Sequence, residues 1–416
     1  MNQAGRVVVI GTGPAGAAAA VFLSRAGLEP LLLEAGSGKA SLGLTARVRG
    51  LTVAKLKPAL QRRQDLTMFG DPAAELFEEL APGGLSNHWS CAVPRFSPED
   101  FADAARAGER YTWPISYADL EPWYDRVEPL LRIAGSARGS AQLPAAKVHQ
   151  TWELDGAWDA VIREARDVGR DVVAMPYAFG AETTVTRAAT AFNAYTRLIK
   201  PIERDGGLTV RLGAQAVRLE WSPSERRVTA VTCREPDSGI EQRIPCRAVV
   251  LAAGAVNTAQ ILLESAHADF PDGLGNTYGV VGRYLHDHPL AKLVADLGSA
   301  LLVALKYPEA ATQVLENARD ELLSLLTRAG WAPRLNVFRV EAPGNSVHYG
   351  GTCRMHASPR YGVVDAYCRV HDVPNVAIAD SSVFTTGPEK NPVLTAMTLA
   401  ARASARLADD LRSGDL

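Results

Sequence analysis

The chain has 416 residues, enough for two domains or for one large domain with an elaboration. Its 44 basic and 46 acidic residues leave a net charge of -2, which argues against a nucleic-acid or anionic-membrane partner. Five scattered cysteines argue against a disulfide framework and a zinc site. No leader pattern and no apolar run of membrane-spanning length is seen. We therefore expect a cytoplasmic protein.

The first 34 residues carry the clearest local pattern. The apolar run Val7–Ile10 predicts a buried parallel strand, and three spaced glycines and an alanine-rich helix follow it. Gly11 permits the tight turn, Gly13 lets the backbone approach a diphosphate, and Gly16 lets helix and strand pack closely. Glu34 ends a second strand, where it can accept hydrogen bonds from ribose and would repel a 2′-phosphate. This pattern favours FAD or NAD over NADP.

A glycine-rich loop runs from Gly83 to Cys91, after residues 39–77, which carry no sharp motif and are expected to cover the nucleotide. Paired glycines let backbone press against a planar ligand, and polar side chains follow at once. We therefore expect this loop over a cofactor ring, the alternative being a simple turn in which His88 is satisfied structurally.

The middle of the chain alternates helical and strand patterns. Helices are expected after the N-cap Ser116 and over 190–203, 258–265 and 313–329, the last with an apolar stripe that reads as core. Strands are predicted at 208–212, 216–219, 228–233, 248–251 and 291–297.

Two stretches near the end carry side chains suited to chemistry. His348 stands beside a Gly-Gly-Thr turn, and Asn391 precedes an apolar segment of helical period. A histidine can take a proton near neutral pH, and an asparagine can hold the same substrate oxygen without competing for that proton. If the two converge, that point is the expected site of reaction.

In this order the motifs resemble the glucose-methanol-choline (GMC) family of FAD-dependent oxidoreductases over nearly the whole chain. Within that family the loop from Gly83 to Ala92 is most similar to pyranose oxidases and to membrane sugar dehydrogenase large subunits. The matching residues are Gly11, Gly13, Gly16 and Glu34, Leu251 to Ala255, Val281 to Pro289, His348 with Gly351 to Met355, Val364 and Asp365, Ala379 to Phe384, and Asn391 with Pro392.

The resemblance implies an α/β fold, with a Rossmann-like FAD-binding domain and a reduced substrate domain of β-sheet and helix, as in GMC and p-hydroxybenzoate-hydroxylase-like proteins. The FAD-binding domain would comprise 1–40, 80–100, 190–290 and 345–416, and the substrate or cap elements 101–189 and 291–344. Only about sixty residues separate His288 from His348, where relatives carry a longer sheet. We therefore expect an open site suited to a larger substrate.

The implied reaction is oxidation of a primary or secondary alcohol of a sugar, glycoside or sugar-bearing biosynthetic intermediate, by hydride transfer to flavin N5. His348 would be the general base and Asn391 its partner. Two alternatives stay open: a non-redox lyase with a structural flavin, and a non-sugar natural-product intermediate as substrate. The electron acceptor is O2 or another compound.

The resemblance also implies which residues hold the cofactor. In fungal-type pyranose oxidases the histidine matching His88 is bonded to the flavin 8α-methyl, and the residue matching Ser90 faces N5, but some relatives with the same His-Trp pair bind FAD without that bond. No metal is expected, because His286 and His288 lack a third ligand. The expected FAD-binding residues are Gly11, Gly13, Pro14, Ala15, Gly16, Glu34, Gly84, Ser86, Asn87, His88, Ser90, Ala216, Val217, Ala253, Gly254, Asp380, Ser381, Asn391, Pro392 and Thr395.

Overall fold

The fold is taken from a computed structural model that describes residues 6–37, 61–62, 74–178, 192–288, 291–296, 300–305, 312–340 and 344–416. Most of the stretch 39–77, expected to cover the nucleotide, lies outside the described residues. The α-helices are α1 (Pro14–Arg25), α2 (Pro98–Ala102), α3 (Tyr117–Leu131), α4 (Asp159–Asp167), α5 (Lys200–Arg204), α6 (Ala255–Glu264), α7 (Thr312–Arg328) and α8 (Val393–Ser413).

The strands build five sheets in the described part of the chain. In chain order they are β1 (Val7–Ile10), β2 (Leu31–Glu34), β3 (Gln61–Arg62), β4 (Phe77–Glu78), β5 (Ile133–Gly135), β6 (Gln150–Thr151), β7 (Tyr177–Ala178), β8 (Thr209–Leu212), β9 (Gln215–Ser222), β10 (Arg227–Arg234), β11 (Glu241–Pro245), β12 (Ala248–Leu251), β13 (Ala291–Asp296), β14 (Ala300–Leu305), β15 (Arg334–Val340) and β16 (Val376–Ile378).

A five-stranded parallel sheet in the order β16-β12-β1-β2-β8 forms the centre of the molecule. Every residue of β1 and β12 is buried, which explains why both read as continuous apolar runs instead of alternating ones. In register, Val8 pairs with Leu31 on one side and with Val249 on the other. The predicted α/β fold class is confirmed.

The first and last helices pack against each other beside this sheet. Their facing sides are small: four consecutive alanines of α1, residues 17–20, are fully buried, as are Ala400 and Ala401 of α8. Gly16 has no room for a side chain, because a Cβ there would lie 2.1 Å from the Gly11 carbonyl oxygen. The close helix-strand packing predicted for Gly16 is therefore a steric requirement.

Smaller sheets surround the parallel sheet. Strands β9 to β11 form an antiparallel sheet, and β14-β13-β15 forms another, which follows it in the chain together with α7. The predicted core stripe of α7 is buried at Leu315, Leu325 and Leu326. All five strands of the parallel sheet come from ranges expected for the FAD-binding domain, and β13 to β15 come from the range expected for the cap. The domain boundaries stay a prediction.

Helix α3 is joined to the rest of the core by buried polar contacts. Arg95 donates two hydrogen bonds of 2.6 Å to the fully buried carboxylate of Glu128 in α3. The Tyr124 hydroxyl, also on α3, lies 2.7 Å from the Thr395 hydroxyl on α8. Breaking either pair would leave a buried polar group without its partner, which is costly in a dry core.

The described residues show no membrane-spanning helix, no group of metal ligands and no disulfide. No helix there is both long and apolar enough to cross a membrane. No group of three or more His, Cys, Asp or Glu side chains in the same ranges could hold a metal ion. All five cysteines are buried and none forms a disulfide.

Replacing Gly16 with alanine should lower the free energy of unfolding of the cofactor-free protein by about 2 kcal/mol, because the added methyl group must displace the Gly11 carbonyl. Chemical denaturation followed by tryptophan fluorescence would measure the loss. Gly13→Ala is the matched control, since a Cβ at Gly13 meets nothing within 4 Å and its φ is -64°. Equal losses at the two positions would contradict the packing argument.

Candidate active site

A cavity of about 1710 Å³ lies where the first and last helices begin. Its wall includes the glycine turn 10–15, part of the loop after Gly83, the turn 252–257, the segment 345–349 and the segment 389–393. It is larger than the usual small-molecule pocket of about 300–1,000 Å³. The cavity can therefore accommodate a cofactor together with a substrate.

One end of the cavity is built to receive a diphosphate. Helix α1 begins at Pro14 after Gly13, and no side chain caps its first turn, so its leading N–H groups can bind an anion. Gly13 leaves open space where a side chain would stand, and the Cβ position of Gly84 lies 3.6 Å from the Gly13 Cα. These backbone surfaces fit a dinucleotide such as FAD.

The Glu34 carboxylate is hydrogen-bonded to Thr12 in the glycine turn. One carboxylate oxygen accepts hydrogen bonds from the Thr12 N–H at 3.2 Å and the Thr12 hydroxyl at 2.5 Å, and the other accepts from the Gly36 N–H at 2.9 Å. Burial raises the pKa of the Glu34 carboxyl, against these hydrogen bonds. Glu34 also lines the cavity, and its expected contact with ribose stays a prediction.

Asp380 connects the turn after β12 with the segment after β16. Its Oδ2 accepts from the Gly254 N–H at 2.9 Å and from the Thr258 hydroxyl at 2.6 Å, and its Oδ1 accepts from the Ser382 N–H at 2.9 Å. Burial raises the pKa of its carboxyl despite these bonds. Asp380 is thus an N-cap as well as part of the cavity wall.

All but three of the residues expected in the site line this cavity. Gly16 lies behind the glycine turn, in the packing described above. The Asn87 amide donates to the Pro82 and Gly84 carbonyls and accepts from Asn193, so it braces its own loop. Thr395 is buried, with its hydroxyl against Tyr124. A direct cofactor contact of these three side chains stays a prediction.

His348 and Asn391 converge at the cavity wall. The Asn391 Nδ2 lies 3.2 Å from the His348 Nε2, although the residues are 43 positions apart in the chain. The other ring nitrogen of His348, Nδ1, lies 3.2 Å from Nδ1 of His288, with the rings in an edge-to-face arrangement and their centroids 4.9 Å apart. Both ring nitrogens of His348 therefore have a nitrogen neighbour at hydrogen-bonding distance.

The backbone on either side of Val347 is held by Asp287. Its carboxylate accepts from the His348 N–H at 2.7 Å and from the N–H and hydroxyl of Ser346 at 3.2 and 2.5 Å. Val347 itself has φ 58°, a left-handed conformation that a β-branched residue rarely adopts. Such strain costs about 1–3 kcal/mol, and the Asp287 contacts offset it.

Asn391 follows a buried ion pair. The Lys390 ammonium lies 2.8 Å from the carboxylate of Asp100 and 2.6 Å from that of Glu389, and the Lys390 and Asp100 side chains are only 7% and 9% exposed. Burial works against the charge, but the hydrogen bonds to Asp100 and Glu389 prevail and raise the pKa of Lys390. The same loop is held by Trp113, whose indole N–H donates to the Thr386 hydroxyl at 2.8 Å.

His88 lies in the cavity wall with a carboxylate partner. Its Nε2 makes a short contact with the carboxylate of Glu79, and the two side chains are 6% and 14% exposed. Ser90 lines the same wall and is exposed to it. The His88 loop is held from behind by Ser86, whose hydroxyl donates to the Gly83 carbonyl and accepts from the Ala194 N–H.

His286 is wedged beneath the His348 turn. Cβ atoms at Gly350, Gly351 or Gly387 would each come within 2.7 Å of its ring. Its Nδ1 pairs with the Tyr284 carbonyl, and its buried Nε2 has no hydrogen-bond partner among the described residues. Burial lowers the pKa of His286 to about 4, so the imidazole stays neutral.

The other histidines make local contacts. The His356 ring pairs with the Glu109 carbonyl and the Ser358 N–H, and that of His371 with the His356 carbonyl. His149 lies near Arg132, and His267 accepts from the Asp269 N–H. Cys353 is fully buried, and burial raises the pKa of its thiol, which agrees with a packing role.

Four site neighbours were not foreseen as such from the sequence: Asp287, His288, Glu79 and Asp100. The His-Asp-His triplet at 286–288 was a visible signal, but it was weighed only as a metal pair, which the lack of a third ligand excluded, and not as a source of partners for His348. Glu79 and Asp100 carried no motif. Only folding brings them to His88 and Lys390.

Two models of one protein family, both described as GMC oxidoreductase, match the chain over residues 109–290 and 306–400. Among solved structures, pyridoxine 4-oxidase from Mesorbium loti has a similar fold, with a TM-score of 0.63 at 17% identity over 97% of this chain and 99% of that one.

Two characterised relatives match nearly end to end. Paromamine 6'-oxidase of Streptomyces fradiae is 24% identical over 98% of this chain and 92% of its own length. The 2-methyl-1,2-propanediol dehydrogenase of Mycolicibacterium austroafricanum is 23% identical over 95% and 94%. The first match extends over 522 aligned positions against 416 residues here, so that relative has roughly a hundred residues without a counterpart in this chain.

The buried imidazole of His286 should make stability fall in mild acid. Its pKa in the folded protein is about 4 against an ordinary 6.5, so the unfolded chain binds a proton that the folded chain refuses. The contribution of His286 to the free energy of unfolding is complete above pH 6.5. It is lost as the pH falls toward 4, by up to about 1.4 kcal/mol per pH unit. Denaturation at pH 7, 6 and 5 measures this slope.

His286→Gln should flatten that slope, because the glutamine does not titrate. His267→Gln, in a surface histidine, is the matched control and should leave the slope as it is. An unchanged slope in His286→Gln would rule out His286 as the source.

Proposed function

Since the chain belongs to the GMC oxidoreductases, whose cofactor is FAD, we propose that it oxidises a primary or secondary alcohol group of a sugar, glycoside or sugar-bearing intermediate. The observation that carries the proposal is the contact between His348 Nε2 and Asn391 Nδ2 on the wall of a cavity large enough for cofactor and substrate. When bound, FAD supplies the hydride acceptor, its N5 atom.

His348 is proposed as the general base. A hydride leaves a carbinol carbon slowly unless the hydroxyl proton leaves as well, so the reaction needs a base within hydrogen-bond reach of that hydroxyl. An imidazole suits this task near neutral pH. His348 lines the cavity, and its Nε2, which lies beside Asn391, would take the proton.

Asn391 is proposed to orient the same hydroxyl. Its Nδ2 can donate to the substrate oxygen and stabilise the negative charge that develops there as the proton leaves. An amide does not take up a proton at working pH, so Asn391 does not compete with His348. The ion pair between Lys390 and Asp100 supports this role, because it restrains the backbone next to Asn391.

The proposed cofactor contacts follow the cavity wall. The turn from Gly11 to Ala15 would hold the diphosphate, and Glu34 the adenosine ribose. Ala216, Val217, Ala253, Gly254, Ser381 and Pro392 would line the remaining cofactor surface. Helix α8 begins at Val393 on the same wall, and its N-terminal dipole favours negative charge nearby.

A sugar-like substrate is supported by relatives named for such substrates, a fructose dehydrogenase large subunit and a C-glycoside 3-oxidase. The relative named for 2-methyl-1,2-propanediol supports a second candidate, a small non-sugar alcohol. The size of the cavity favours the larger substrates. We propose that residues 101–189 and 291–344 form the substrate side of the cavity.

A panel of glycosides and simple diols, tested for flavin reduction, would identify the substrate. An oxygen pulse to the reduced enzyme would then show whether O2 is the electron acceptor.

His348→Ala should reduce the rate of substrate-dependent flavin bleaching by at least about a thousandfold, because the hydroxyl proton loses its acceptor. Asn391→Ala should lose about 10 to 100-fold, since only an orienting donor is removed. Anaerobic stopped-flow absorbance measures both rates.

The same spectra serve as the control for cofactor content. Both variants should retain the yellow flavin absorbance of the wild type, because His348 is not among the expected FAD-binding residues and Asn391 is only one of many. Near-normal bleaching in His348→Ala would refute the base assignment, and a flavin that no alcohol bleaches would favour the non-redox lyase alternative.

We propose further that FAD is bound without a covalent link to His88. The carboxylate of Glu79 engages the Nε2 of His88, and a carboxylate only accepts hydrogen bonds when ionised, so that nitrogen carries the proton. A protonated Nε2 has no lone pair with which to bond the flavin 8α-methyl. The ring nitrogen that keeps a lone pair is Nδ1, so the proposed non-covalent binding requires that Nδ1 does not reach that carbon.

Acid precipitation of the purified protein tests this directly. The yellow colour should pass into the supernatant, and mass spectrometry of the denatured chain should give the mass of the polypeptide alone. Colour retained in the pellet, lost in His88→Ala, would establish the covalent link instead.

A further inference from the structure

We propose that His288 is a positioning residue for His348: its Nδ1 accepts the His348 Nδ1–H and thereby keeps Nε2 of His348 unprotonated, in the state that can take the substrate proton. The inference deepens the proposed function and rests on it. Its basis is the 3.2 Å contact between the two Nδ1 atoms, together with the 3.2 Å contact of Asn391 on the opposite ring nitrogen.

The two contacts specify the same tautomer of His348. The Asn391 Nδ2 is a donor only, so the Nε2 that faces it must accept and carries no proton. A neutral imidazole has one ring N–H, which then lies on Nδ1 and points at His288. Nδ1 of His288 must accept that hydrogen, because two ring nitrogens that both carry protons would repel.

The partner is held as rigidly as this role requires. The whole of His288 is only 5% exposed, and its ring stands edge-to-face against that of His348. The preceding residue, Asp287, accepts from the His348 N–H at 2.7 Å, so one short segment orients both the backbone and the ring of the proposed base. A buried, backbone-anchored acceptor loses little entropy when it orients its partner.

The contact also bears on the charged state. During oxidation the substrate carbon loses a hydride to the cofactor, and the hydroxyl loses its proton to Nε2 of His348. That ring becomes an imidazolium, and its Nδ1–H then makes a charge-assisted hydrogen bond to His288, stronger than the neutral one. No bond to His288 forms or breaks, and it stabilises the cation that the reaction creates.

Other titratable groups surround this pair. Asp287 lies on the His288 segment, with His286 beside it, and the buried phenol of Tyr349 follows His348 with Glu75 nearby. Glu389 and Lys390 share the cavity from the Asn391 loop. These groups are unchanged in the variants of His288, so a difference between the pH profiles of those variants reports on position 288.

The test compares His288→Leu with His288→Asn in the FAD-loaded enzyme. Leucine removes the acceptor, whereas the asparagine Oδ1 can stand near the place of the histidine Nδ1. His288→Leu should lower the limiting rate of flavin reduction by about 10 to 100-fold and move the acid limb of its pH profile down by about one unit, since the imidazolium loses a partner. His288→Asn should stay within about fivefold, with the limb in place.

His267→Leu, the same change in a surface histidine, should match the wild type throughout. KM should change by less than about threefold in all three variants, because His288 acts through His348 and not on the substrate. A wild-type rate and unchanged acid limb in His288→Leu would overturn the inference. So would a loss in His288→Asn equal to that in His288→Leu.

A second measurement does not depend on how the variants fold. In wild-type protein labelled with ¹⁵N-histidine, the ring nitrogen shifts of His348, assigned by their absence in His348→Gln, should show a protonated Nδ1 and an unprotonated Nε2. The opposite tautomer would overturn the inference.

The proposed function and the positioning role of His288 can be tested separately. If no alcohol reduces the flavin of the wild type, the proposed function itself is wrong. If His348→Gln reduces flavin at the wild-type rate, His348 is not the base and the role of His288 falls with it. If His348→Gln is inactive but His288→Leu behaves as the wild type, the base stands and only the role of His288 falls.

Discussion

The packing of the first helix against the last is the contact on which the rest of the structure depends. Both helices begin at the cavity, so their distance sets the distance between the diphosphate turn and the Asn391 loop. The contact is close because alanines meet on both sides, and it needs Gly16 to be bare where α1 leaves the sheet. The expected diphosphate turn and the proposed orienting residue Asn391, almost four hundred residues apart in the chain, are joined by this one interface.

A second constraint acts on the proposed base. His348 follows a valine in a left-handed conformation, a strained arrangement that persists because Asp287 accepts hydrogen bonds on both sides of it. The wedge of His286 against three glycines fills the space beneath the turn. The segment 286–288 thus acts as a template for the turn that carries His348, which gives its three consecutive polar residues a structural role beside the site.

The small sheet of β13 to β15 and helix α7 lie in the chain between His288 and His348. A reduced cap exposes more of the cavity than a full one, and the cavity here is large. Substrate selection would then rest on fewer side chains, with the reaction itself carried by groups that the parallel sheet and the last helix position. Reaction type and substrate range are in this sense separate properties of the fold.

The nucleotide-binding half could be predicted from the amino-acid sequence, because its signals are local: Gly11, Gly13, Gly16 and Glu34 belong to one strand-turn-helix-strand unit. His348 and Asn391 could also be picked out, each from a short motif of its own. Their neighbours in space follow only from the folded chain. Glu79, Asp100 and His288 gain their partners across 9 to 290 positions of chain, and no local pattern encodes such contacts. Thr395 illustrates the same limit: its place in the motif pointed to the cofactor, while packing turned its hydroxyl to Tyr124.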